Sequence, residues 1–326
     1  MRTSPRRRAL LRQIGAMLLA TSQWPLSHAA LADKPIRLVV PFPAGGGTDV
    51  MGRLLAQSLS QELGATVIVD NVPGATGTLG SAQVARAAPD GHTLVLGISA
   101  THAIAPALFK DLKYRPDDFT AIARVAHGGN VLVANPGYAA NSAPGMVALA
   151  KRGREPLMYG SWGNGSGGHL AMESLRLATG IETVHVPYKG VAPLLQDVVG
   201  GQIQVAMADV AGALPLLRAG RIKALAVTGA KRSSALPDVP TLVEGRIPFD
   251  TESWFALFAP ARLPPDTTQQ LAQAASRALR RPEVVEKVKS LGMEADPISR
   301  EGFDKQWHED IATWARVVQA SGAKPD

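Results

Sequence analysis

The chain contains no cysteine, which excludes disulfides, thiolate metal sites and lipid attachment through an N-terminal cysteine. Histidine is sparse, with seven in 326 residues, and no two stand at i, i+3 or i, i+4 to offer a zinc pair. The apolar run Ile14 to Ala20 is too short to span a membrane. No Gly-Lys-Ser/Thr triplet follows a glycine loop, so a P-loop is excluded. Ser99, Ser161 and Ser166 lack the glycines two residues to either side that a nucleophile elbow requires. No acid, base and nucleophile set emerges, which favours binding over catalysis.

Charge is unevenly spread. The formal +7 includes Arg2, Arg6, Arg7, Arg8 and Arg12, all within the first 32 residues, which hold no acid. Removing these five leaves 29 basic residues against 27 acidic ones, or +2, and a nucleic-acid role loses its main support. A basic start, an apolar centre and Ala30-Leu31-Ala32 before Asp33 follow the order of a cleavable export signal over residues 1–32, with cleavage near Ala32-Asp33. The segment Arg7 to Arg12 resembles a twin-arginine pattern, with Leu10 where Phe is commoner. The mature chain is expected to begin near Asp33 and to be periplasmic.

What is abundant is glycine placed after short apolar runs. Ile36 to Val40 reads as a buried strand, Pro41 to Asp49 as a turn carrying Gly45, Gly46 and Gly47, and the segment from Val50 as a helix stopped by Gly64. Glycines let a ligand approach the backbone, and the free amides of a helix start attract an anion; Thr48 or Asp49 is expected to cap that helix. The logic repeats at Leu157 to Gly160, followed by the turn Ser161 to Leu170 with Trp162, Gly163, Asn164, Gly165, Ser166 and His169. His169 is open to either a ligand contact or a capping role. Asp209, after the strand Ile203 to Ala208, is equally open to a ligand or a cap.

Strands alternating with helices imply parallel sheets whose ligands gather at the carboxyl ends of strands, where Ser99 and Thr101 also fall. A dinucleotide fingerprint would require glycine at position 50, which is Val50. In the last helix, Trp307, Ile311, Trp314 and Val318 form a stripe for core packing.

PFPAGGGTDVMGR, VDNVPGATGTLG, APDGHTLVLG, YGSWGNGSGGHLAMES, HVPYKGVAPLLQDVVGGQI, PDVPTLVEG and WFALFAPA resemble the receptors of tripartite tricarboxylate transporters, the Bug-type solute-binding proteins. The resemblance runs in order from about Pro35 to the C-terminus. It implies an α/β, two-lobed periplasmic binding protein of the Venus-flytrap, type II-like kind, each lobe a mainly parallel sheet flanked by helices. Two hinge crossings would fall near Val133 and Trp254, giving lobe 1 as 33–133 plus 255–326 and lobe 2 as 134–254.

The same resemblance implies a monomeric, non-enzymatic receptor with no cofactor or metal, which delivers a small carboxylate to transporter subunits in the membrane. Its ligand loops match Phe42 to Asp49 and Ser161 to His169, and Tyr188 in HVPYKG joins the candidate set. Ala44 and Trp162 depart from the family pattern, and Trp162 either narrows the pocket or stacks on a ring-bearing ligand. Neither loop holds Lys or Arg, so one carboxylate would be held by neutral donors, which avoids burying a second full charge. Rival readings are an exported hydrolase using Ser99 or Ser166, a nicotinamide-dependent oxidoreductase, and a ligand sensor for a membrane kinase.

Overall fold

The computed structural model of the protein describes residues 31–249, 251–295 and 298–324. The expected export signal lies almost wholly outside them. Leu31, two residues before the expected cleavage point, is buried beside Gly91 and so belongs to the core. Among the described residues, no helix is long and apolar enough to cross a membrane.

Two five-stranded mixed sheets form the framework. In the first, β1 (Ile36–Val40), β2 (Val67–Asn71), β3 (Thr93–Ile98), β4 (Phe119–Gly128) and β10 (Ser253–Pro260) lie in the order β2-β1-β3-β10-β4. The second holds β5 (Asn130–Ala134), β6 (Leu157–Ser161), β7 (Thr183–Pro187), β8 (Val205–Asp209) and β9 (Lys223–Val227), in the order β7-β6-β8-β5-β9. Within each sheet one strand runs against its two neighbours: β10 between β3 and β4, and β5 between β8 and β9. These reversed strands are the ones that bring the chain across from the other lobe.

The apolar runs form strands because helices cover the sheets, so residues such as Leu38, Val39 and Val40 lose all contact with solvent. β5 pairs within the second sheet from Asn130 onward. The chain therefore changes sheet at Gly128 to Asn130, upstream of the crossing that the family resemblance placed near Val133. The Asn130 amide donates to Thr228 Oγ1 at 2.7 Å and the Thr228 amide donates back to the Asn130 carbonyl at 2.8 Å. That exchange pins the crossing where the Gly128-Gly129 pair separates two apolar runs.

The C-terminal helix Arg300–Ser321 ties the lobes together. Trp307, Trp314 and Val318 of the expected stripe are buried, and Ile311 packs half-buried against the same core. That core includes Phe258 of the first sheet and Leu170, Met172 and Leu175 of the second lobe. Trp307 Nε1 donates to the His102 carbonyl at 2.8 Å, and Trp254 Nε1 to Asp310 Oδ2 at 2.8 Å. Both indoles thus bury their rings without leaving a donor unmet.

Candidate functional site

The two glycine turns leave β1 and β6 at their carboxyl ends and face one another across the lobes. In the first, the helix Gly47–Leu63 starts behind Gly46, which has no side chain to cap it. Ser142, Ser166, Asp209 and Ser299 each accept a backbone amide at the start of other helices. The sequence expectation that Thr48 or Asp49 caps the first helix is corrected here. Asp49 sits within the first turn and folds back, accepting the Gly45 amide at 2.9 Å, Arg53 Nε at 2.9 Å and Asn71 Nδ2 at 3.0 Å.

Those donors, Arg53 foremost, lower the Asp49 pKa from 3.8 to about 2, so it is an ionised clasp that fixes the turn. Asn71 Nδ2 also donates to the Phe42 carbonyl at 3.1 Å, tying β2 to the same turn. Ala44, Gly45 and Gly46 are exposed at its tip, while Gly47 and Thr48 are left open at its inner side.

The second turn is knitted from beneath by its own hydroxyls and imidazoles. Ser161 Oγ donates to the Gly163 carbonyl at 3.1 Å, lies 2.7 Å from His185 Nε2, and accepts from Ser166 Oγ at 3.3 Å. Ser166 caps its helix by accepting the His169 amide at 3.2 Å. His169 Nδ1 accepts from the Gly165 amide at 3.0 Å, and its ring stacks on His185 at 4.0 Å. The hydrolase reading named Ser99 or Ser166: Ser99 is buried, and Ser166 Oγ is engaged with Ser161 Oγ and the His169 amide. The serine that does lie beside a histidine side chain, Ser161, is itself buried. Asn164 is exposed, and Gly165 abuts Leu108 of the first lobe.

Trp162 is the side chain that this turn sends outward. Its indole packs so closely on Gly168 that a Cβ there would fall within 3 Å of three ring atoms. Only glycine lets the ring settle on the start of the helix Gly167–Thr179.

Between the turns is a cleft of about 400 Å³, a size suited to a small ligand. Gly47, Thr48 and Met51 form one wall; Trp162 and Asp209 to Ala211 form the opposite one. The floor is the crossing strands, through Gly128 to Asn130 and Ser253 with Phe255, and Leu291 to Met293 close one side. The lobes touch at that side: a Cβ on Gly292 would come within 2.9 Å of the Ala211 amide nitrogen. Nearby the Ser234 amide donates to Glu294 Oε1 at 2.9 Å.

Of the candidates named from sequence, the structure brings Gly47, Thr48, Trp162 and Asp209 together on this lining. Asp209 takes the capping role, Oδ1 accepting the Gly212 amide at 2.7 Å, and it also lines the cleft. Other candidates lie elsewhere. Ser99 is buried, and Thr101 Oγ1 accepts the Ile98 amide at 3.1 Å and donates to the Ile98 carbonyl at 3.0 Å. Tyr188 donates to Asp197 Oδ2 at 2.8 Å, and burial raises its pKa to about 12. Sequence reasoning missed Asn130, Ser253, Phe255 and the Leu291 to Met293 segment. The first could have been found as the residue that follows the Gly128-Gly129 pair at a crossing; the last gives no local signal.

A model of the tripartite tricarboxylate transporter family receptor matches residues 51–323. The chain belongs to this family. BugT of Bordetella pertussis is 34% identical over 92% of this chain and 93% of its own length. Among solved structures, Rpa4515 of R. palustris with adipate is 32% identical, covers 90% of this chain and 99% of its own, and superposes with a TM-score of 0.76. MatC of Rhodopseudomonas palustris with bound malate is 33% identical over 88% and 99%, with a TM-score of 0.72. Tripartite tricarboxylate transporter receptors are periplasmic solute-binding proteins, and the two-lobed fold with its intervening cleft is the architecture that this role uses.

Proposed function

We propose that the chain captures a small carboxylate between its lobes and delivers it to a tripartite tricarboxylate-type membrane transporter. The observation that carries this is the uncapped helix start at Gly46-Gly47, opening on a cleft walled by both lobes. First-turn amides without intrahelical acceptors, reinforced by the helix dipole, suit one carboxylate group. Thr48, Asn130 and Ser253 add neutral donors on the same lining. Because both lobes contribute walls, a ligand there favours the closed arrangement over the open one, which is the differential interaction that drives closure. The lobes are read as a Venus flytrap hinged at Gly128 to Asn130 and ahead of Ser253.

The test is a thermal-shift and calorimetry screen of the protein against carboxylates, with Gly47→Leu alongside. Nothing lies within 4 Å of a Cβ at Gly47, so the variant is expected to fold and to fill the site. Loss of binding by at least about 100-fold in Gly47→Leu, corresponding to ~2.7 kcal/mol, supports the site. Unchanged affinity places the ligand elsewhere.

A further inference from the structure

We propose that the ligand is a monocarboxylate with a planar, apolar body, selected by Trp162 and by the absence of any cation in the cleft. This rests on the receptor reading above and narrows it. Apart from Asp209, every residue on the cleft lining is uncharged, and among the described residues no Lys, Arg or His lines it. A first carboxylate is accommodated at Gly47-Thr48. A second would find Asp209 as the one full charge in reach, and its sign is repulsive. Asp209 Oδ1 is held by the Gly212 amide, so that carboxylate is fixed in place.

The remaining lining suits a flat apolar body. Trp162 comes from the second lobe and Phe255 from the first sheet, with Met51 and Met293 beside them. Trp162 on the second lobe's wall and Phe255 on the floor both border the space left for the ligand's body. Stacking and sulfur contacts both favour an aromatic or similarly flat body over a hydrated chain ending in charge. The indole also lies across Gly168 at the start of its helix, where it covers the position from which the second helix start would otherwise face an anion. The lobes therefore divide the work: the first holds the charged head and the second holds the flat body.

The experiment uses benzoate and 3-phenylpropionate against succinate and adipate, by calorimetry and by indole fluorescence, on the wild-type protein, Trp162→Ser and Asp209→Asn. Asparagine still caps a helix, so the last variant changes charge without removing the cap. The expected result is that a ring acid binds the wild type about tenfold or more tighter than either dicarboxylate, with fluorescence quenched. Trp162→Ser is expected to lose that preference by about tenfold, and Asp209→Asn to gain dicarboxylate affinity selectively. A dicarboxylate binding the wild type as well as the ring acids, or a preference unmoved in Trp162→Ser, overturns the inference and leaves the receptor reading standing. Binding of none of the four acids in the wild type, together with no hit in the wider carboxylate screen, overturns the receptor reading and this inference with it.

Discussion

Asp49 and His102 illustrate what a single residue's surroundings decide. Asp49 is legible in the sequence as an acid near a helix start, and cap and ligand contact are its two obvious roles. Its actual role, clasping Gly45, Arg53 and Asn71, depends on Asn71 arriving from a neighbouring strand. His102 packs on Phe258 at 4.3 Å, and burial lowers its pKa from 6.5 to about 3. It is neutral in the fold, whereas an unfolded chain takes up a proton below 6.5, so its contribution is complete above that pH and is lost as pH falls toward 3. Asp49 adds to this lower down, complete above its ordinary 3.8 and lost toward 2. The melting temperature is therefore expected to decline from about pH 6.5 to 4. His102→Asn, though less stable throughout, is expected to show a shallower decline; an equal slope contradicts the assignment.

At the scale of elements, strands and helices were readable because apolar periodicity and glycine stops report local geometry directly. β1, the second glycine turn and the Trp307 to Val318 stripe stand where the pattern puts them, and the first helix ends at Gly64 as read but begins at Gly47, three residues before the expected Val50. Strand order was not readable, since β10 enters between β3 and β4 from more than 100 residues away, a pairing that no local pattern encodes. The cleft wall at Leu291 to Met293 was hidden for the same reason. The glycine turn at Gly45 to Gly47 was readable as an anion-attracting helix start, but only the fold shows that Gly46 is the uncapped position and that the helix start opens on a cleft. Gly46→Asp tests the element's role. An added cap is expected to raise stability by a few tenths of a kcal/mol, while its charge at the anion position lowers carboxylate affinity by about tenfold or more. Gain in both stability and affinity contradicts the anion site.

For the whole molecule, two features bear on closure. The crossings run through Gly128 to Asn130 and into Ser253, and His127 Nδ1 lies 2.5 Å from Glu252 Oε2 beside them. The C-terminal helix packs into the core of both lobes; under the proposed closure, rotation about the crossings brings together Gly47 to Met51 and Trp162 with Asp209. The sequence resemblance had already implied two lobes and a carboxylate; the division of labour between them required knowing which side chains face inward. The most direct measurement is a crystal structure of the protein with benzoate bound. The account predicts carboxylate oxygens within hydrogen-bond distance of the Gly47 and Thr48 amides and the ring in contact with Trp162 and Phe255. A carboxylate seated away from the Gly47 helix start, or a ligand outside the interlobe cleft, would contradict it.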